Sequence, residues 1–281
     1  MAELIVNLDS VAMLREVRRT FEPDPVQVAA LAEAAGAAGI SVHLREDRRH
    51  VQDRDIRVLK ETVKTSFTLA IAPSEPLLLV AEALRPDWVT LVPPGASSSG
   101  TARAVGSGAA PGSPGPGAPG TPGDGSYGSH GSHGSTGRDL TGREEGLGQA
   151  VEMLKRAGIR VGLLVQPDLD LVKLAAGLGV QGVNLHAGSY AERFGTAGEE
   201  REFESIENAA EYAQKLGLKV RIAEGADFRN GGPLFGIGAV AAFEVGHALM
   251  ARALLAGIGE AVRELIGLMR AARPAVPQYR S

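Results

Sequence analysis

Eight short apolar runs punctuate this chain, and stretches with helical patterning separate them. No other feature constrains the fold as strongly. The runs Leu4–Asp9, Ile40–Arg45, Phe67–Ala72, Trp88–Val92, Val161–Gln166, Gly182–His186, Lys219–Ala223 and Phe243–Ala248 are rich in Val, Ile and Leu. That is the composition of strands buried on both faces. Helices are expected at Pro25–Ala35, Asp53–Lys64, Glu75–Leu84, Glu144–Ala157, Leu169–Leu178, Glu200–Leu216 and Gly259–Arg273. The first opens with Asp24 as N-cap and Pro25 at the first helical position. The crossover Asn230–Val240 is Gly-rich and poorly patterned. Strict β-then-α alternation implies a parallel sheet with right-handed crossovers. Eight units favour a closed (β/α)8 TIM barrel over an open doubly wound sheet. Three helix-to-strand turns carry a glycine suited to the left-handed position after a helix: Gly39, Gly158 and Gly217.

One segment departs from this pattern. Residues 95–138 are almost wholly Gly, Ser, Pro and Ala and hold 14 of the chain's 37 glycines. Such a segment cannot bury enough surface to offset ordering entropy, so it reads as a disordered insertion. His130 and His133 stand in a Gly-Ser-His repeat within it, which reads as a solvated low-complexity tract rather than a metal site. Without the insertion about 237 residues remain, close to the ~250 typical of one barrel domain. The insertion falls after the fourth strand, on the face where barrel active sites lie.

Composition narrows the function. A formal net charge of -4 supplies no basic field for nucleic acid. No apolar run approaches the ~20 residues of a membrane helix, and the N-terminus lacks the pattern of a signal peptide. The absence of cysteine excludes thiolate chemistry and is compatible with a cytoplasmic protein. No P-loop, nucleophile elbow or zinc-protease motif occurs.

The strand C-termini offer Asn7 and Asp9, His43 and Arg45, His186, Glu224 and Gly225, and Gly246 and His247. Exposed N–H groups at Gly246-His247, before an expected helix, would suit a phosphate. Arg18 falls in the expected first βα loop, where it could reach an anion or serve as ordinary solvated charge. The densest cluster is His43-Leu44-Arg45-Glu46-Asp47-Arg48-Arg49-His50, in which seven of eight residues can carry charge. It suits an anion site with a histidine placed for proton transfer. A charged βα loop with surface ion pairs is the alternative.

The chain also resembles a known family. Asn7-Leu8-Asp9, Leu14-Arg15, Arg18, Asp24-Pro25-Val26-Gln27 and the string from Val42 to His50 with Asp53-Arg54-Asp55 are similar to pyridoxine 5′-phosphate synthase. So are Leu91-Val92-Pro93, His186-Ala187-Gly188-Ser189-Tyr190-Ala191, Leu216-Gly217-Leu218-Lys219-Val220 and Val245-Gly246-His247-Ala248. The resemblance implies a (β/α)8 barrel assembled into an octamer. It implies condensation of 3-amino-2-oxopropyl phosphate with 1-deoxy-D-xylulose 5-phosphate. The products would be pyridoxine 5′-phosphate, inorganic phosphate and water, formed without metal or bound cofactor. It implies substrate binding at Asn7, Asp9, Arg18, Arg45, His50, Thr136, Gly225, Gly246 and His247, and acid–base work at His43. The family pattern is changed at three places. Ser10 stands where the family has histidine, Ala70 where it has a catalytic glutamate, and Glu224 where it has a catalytic histidine. Ala70 cannot move a proton, whereas Glu224 can replace the histidine as an acid or base. Losing one such group typically costs ~10²–10⁴ in rate. A divergent enzyme acting on another phosphorylated ketone, or a non-catalytic barrel binding phosphorylated metabolites, are the alternatives.

Overall fold

The computed structural model describes residues 2–93 and 144–272. The expected insertion at 95–138, with His130, His133 and Thr136, lies outside the described residues. Eight parallel strands close into a barrel in sequence order: β1 (Glu3–Asn7), β2 (Gly39–Leu44), β3 (Ser66–Ile71), β4 (Trp88–Leu91), β5 (Arg160–Val165), β6 (Gly182–His186), β7 (Lys219–Ala223) and β8 (Val240–Val245). Helices cover the outside: α1 (Asp9–Arg18), α2 (Pro25–Ala34), α3 (Asp53–Thr62), α4 (Glu75–Leu84), α5 (Glu144–Arg156), α6 (Leu169–Gly177), α7 (Gly188–Arg193), α8 (Glu199–Lys215), α9 (Gly231–Phe235), α10 (His247–Ala256) and α11 (Ile258–Ala271). Among the described residues no helix is long and apolar enough to cross a membrane.

The strands alternate as the pleat requires. Outward residues such as Val6, Val42, Leu69, Val89, Leu163, Val183, Ile222 and Phe243 pack into the core shared with the helices. Inward residues fill the barrel. Because the register is staggered, odd and even strands contribute alternate layers. The lowest holds Gly39, Trp88, Gly182 and Ala242, and the next holds Ile5, Thr68, Gly162 and Arg221. Ser41, Thr90, Asn184 and Glu244 follow, then Asn7, Ala70, Leu164 and Ala223, with His43 and His186 at the top. Trp88 plugs the bottom: a Cβ at Gly162 would stand 2.7 Å from its ring, and one at Gly182 2.9 Å from it. The Arg221 guanidinium lies 4.0 Å from the Trp88 ring centroid and donates to Thr68 Oγ1 at 3.2 Å. Burial lowers its pKa to about 10.

Several sequence expectations need correction. Arg18 is not in a loop. The stretch after β1 is helix α1, and Arg18 is the exposed last residue of it. Its buried stripe is Val11, Ala12 and Arg15, and a charged residue on that stripe masks the amphipathic pattern. The last strand runs three residues earlier than expected, so Gly246 is an N-cap and His247 the first residue of α10. Gly39 opens β2, and the left-handed glycine after α2 is Gly36, with φ 107°. Gly158 and Gly217 do have positive φ. The Asp24 cap is present, its carboxylate accepting from Val26 N–H at 3.0 Å. The glycine-rich crossover before β8 contains only the short α9.

Candidate active site

The barrel brings the ends of β1, β2, β6, β7 and β8 to one mouth. Asn7 Oδ1 accepts the Asp9 N–H at 3.0 Å, and Asn7 Nδ2 donates to Asp9 Oδ2 at 3.0 Å. Asp9 Oδ1 accepts the His43 N–H at 2.7 Å, tying α1 to β2. Burial pushes the Asp9 carboxyl up to about 6, against those hydrogen bonds, with Glu224's charge adding to the rise. Burial lowers His43 to about 4, and the cation of Arg45 lowers it further. The His43 ring is therefore neutral near pH 7 and able to accept a proton. Asp9, read from sequence as a binding residue, can itself exchange a proton at physiological pH.

Across the mouth, His186 Nδ1 accepts the Gly188 N–H at 3.2 Å. That leaves Nε2 to donate to Glu224 Oε2, 3.1 Å away. Glu224 adopts φ 62°, a left-handed conformation that a non-glycine residue enters at a cost. Its side chain is 34% exposed. Gly225 follows with φ 84°, and a Cβ there would stand 2.4 Å from Ala187 O. At Gly246 a Cβ would approach Asn7 Oδ1 to 2.8 Å. Both glycines allow backbone to close on the site. Helix α10 begins at His247 directly after Gly246, which lies against Asn7, and its first N–H groups have no side-chain cap, so they could accept an anion.

The charged string divides. His43 faces inward, whereas Arg45, Asp47 and Arg49 pair with one another near the surface and Arg48 pairs with Asp53. The surface ion pairs expected of a charged βα loop are present at Arg45, Asp47, Arg48 and Arg49, and His43 stands apart from them. Arg45 stays close enough for its charge to act on His43 and Asp9. His50 is half-buried, and its Nδ1 has no partner among the described residues. Burial lowers its pKa. The loop is anchored from below by a residue that sequence reading passed over. Arg15 donates twice to Asp55, at 2.8 and 2.7 Å, and once to the His50 carbonyl at 3.1 Å. Arg18 does not reach this cluster within one chain. Thr136 lies outside the described residues. Among the described residues no three His, Asp or Glu side chains gather as a metal-ligating group.

A closed parallel barrel with ionisable side chains at the C-terminal ends of its strands has the arrangement of a (β/α)8 enzyme. The family profile described as "Pyridoxal phosphate biosynthesis protein PdxJ" matches residues 4–105 and 131–271, and so leaves out 106–130. A pyridoxine 5′-phosphate synthase of Citrifermentans bemidjiense is 38% identical over 270 residues, 96% of this chain and 99% of its own. One from a Synechococcus strain is 38% identical over 265 residues, 94% and 97% of the two chains. One from Thermosynechococcus vestitus is 36% identical over 96% of this chain and 99% of its own. Among solved structures, the phosphoribosylanthranilate isomerase of Thermotoga maritima is similar with a TM-score of 0.55 at 11% identity, covering 96% and 100% of the two chains. That likeness concerns the fold alone. The chain belongs to the PdxJ family.

Proposed function

We propose that this chain condenses 3-amino-2-oxopropyl phosphate with 1-deoxy-D-xylulose 5-phosphate to pyridoxine 5′-phosphate, in vitamin B6 biosynthesis. The observation that carries the reading is end-to-end similarity to relatives named for that synthase. Their names do not favour the alternative of a divergent or non-catalytic barrel. In this reading neutral His43 is a general base or acid, and Glu224, held by His186, is a second proton-transfer group. Asn7 and Asp9 orient substrate. Arg45, His50, Gly225 and the Gly246-His247 start of α10 bind phosphate, and Thr136 is assigned the same task from resemblance alone. The domain reading is of one barrel carrying 95–138 as an insertion, and the location is cytoplasmic.

Self-association is part of the proposal. Leu14, Val17 and Phe21 on and after α1, and Leu254 and Leu255 on α10, are exposed large apolar residues. The two helices touch, and exposed apolar residues on neighbouring helices support a contact with another copy. Arg18 is the exposed residue after Val17 at the end of the first of these helices, and as a phosphate ligand it would act across the interface with another copy.

The experiment is complementation. Bacteria lacking their own synthase should grow without added vitamin B6 when they carry this chain, and fail to grow with the His43→Ala variant. No growth with a well-expressed, folded chain would overturn the reading.

A further inference from the structure

The floor of the site holds a carboxyl group that has no task in the reading above. Glu244 faces inward from β8, in one layer with Ser41, Thr90 and Asn184. Its Oε1 accepts from Ser41 Oγ at 2.7 Å and from Asn7 Nδ2 at 3.4 Å. Its Oε2 accepts from Asn184 Nδ2 at 3.5 Å. All three donors are neutral. Among the described residues, Glu244 has no ion-pair partner. Arg221, one layer below, gives a guanidinium N–H to Thr68 and its face to Trp88 instead. Glu244 is therefore not half of a structural ion pair.

The layer between Glu244 and the mouth contains Ala70 and Ala223. Asn7 and Leu164 complete that layer, and with two of its four side chains this short Glu244 keeps partial exposure despite its depth. The same floor holds unspent hydrogen-bonding capacity. Thr90 Oγ1 and Asn184 Oδ1 are buried without a partner among the described residues. A polar substrate group reaching past the two alanines would meet Thr90, Asn184 and Glu244 together.

We propose that Glu244 is a catalytic residue of this barrel, the group that moves protons at the floor of the site where Ala70 cannot. The proposal rests on the condensing reading. An amine adding to a ketone gives a carbinolamine. Neutral Glu244 donates its proton to the carbinolamine hydroxyl, the C–O bond breaks, and water leaves. The resulting carboxylate takes the N–H proton of the iminium ion, giving the imine and restoring the acid. Burial pushes the Glu244 carboxyl up, with the charge of Asp9 adding, while Ser41, Arg221 and Asn7 oppose. That direction favours the proton-bearing form. The charged groups facing it are Arg221 from β7 and Asp9 from the start of α1. β2 and β6 present neutral Ser41 and Asn184.

Glu244→Gln and Glu244→Asp test this, with kcat, KM and their pH dependence measured on both family substrates. Glu244→Gln should lower kcat by ~10²–10⁴ with little change in KM and remove one ionisation from the kcat profile. Glu244→Asp should retain part of the activity and move that ionisation. Full kcat in Glu244→Gln, or a loss of equal size at every pH, would overturn the proposal. An inactive wild type would sink the synthase reading instead. In that case 13C NMR of the glutamate carboxyls decides. A resonance lost in Glu244→Gln that titrates above the other glutamates supports the assignment, and one that titrates with them overturns it.

Discussion

Asp9→Asn should gain stability relative to the wild type as pH rises. The Asp9 carboxyl rises from 3.8 to about 6 on folding, chiefly through burial. A carboxyl raised in the folded state contributes stability that is fully present below its unfolded pKa and lost as pH rises through its folded one. At pH 8 the ionised group thus costs the fold up to about 3 kcal/mol. Asp9 is only half-buried, so solvent screening brings that nearer to 1–2 kcal/mol. Asparagine keeps an oxygen for the His43 N–H but turns an amide towards Asn7 Nδ2, losing a hydrogen bond worth roughly 1 kcal/mol at every pH. The pH-dependent part survives that offset. Roughly half of it falls between pH 5 and pH 8. Urea unfolding of both proteins across that range should show the variant gaining on the wild type by about 0.5–1 kcal/mol as pH rises. A difference that stays constant with pH would refute the account of Asp9.

Arg15→Met leaves the Asp55 carboxylate, whose side chain is 0% exposed, without its bidentate partner. Breaking one side of a buried pair costs ~3–5 kcal/mol, so Tm should fall by roughly 10 °C, and an unchanged Tm would contradict the anchoring role. Gly246→Ala places a Cβ 2.8 Å from Asn7 Oδ1, and should raise KM for phosphorylated substrate about tenfold, or ~1.4 kcal/mol, with far-UV circular dichroism unchanged. Deleting residues 100–134 should leave the unfolding transition within ~1 kcal/mol of the full chain, and loss of folding or assembly would contradict the insertion reading.

The outward half of each strand is legible in the sequence, because Val, Ile and Leu at alternate positions can only pack against helices. The inward half is legible in principle. Gly39-Ile40-Ser41-Val42-His43-Leu44 and Ala242-Phe243-Glu244-Val245 alternate large apolar residues with small or polar ones, Ser41, His43 and Glu244 among them. That alternation marks a polar barrel interior, and on its own it singles out Glu244 as an inward-facing acid. Helix α1 is hidden because Arg15 sits on its buried stripe, where a periodicity argument expects an apolar residue. The His186–Glu224 contact and the Asp9–His43 tie join residues 38 and 34 positions apart, and no local pattern encodes either. The charged string looks like one unit in sequence, yet strand geometry turns His43 inward and leaves Asp47 and Arg49 to pair in solvent.

The central claim is that this barrel carries out the family condensation. Purified protein incubated with both family substrates, and with each alone, gives the most direct measurement when pyridoxine 5′-phosphate and inorganic phosphate are quantified together. The account predicts both products only when both substrates are present, in equal amounts, with the rate falling by ~10²–10⁴ in His43→Ala. Phosphate release without pyridoxine 5′-phosphate, or product formation no faster than in the His43→Ala variant, would contradict it.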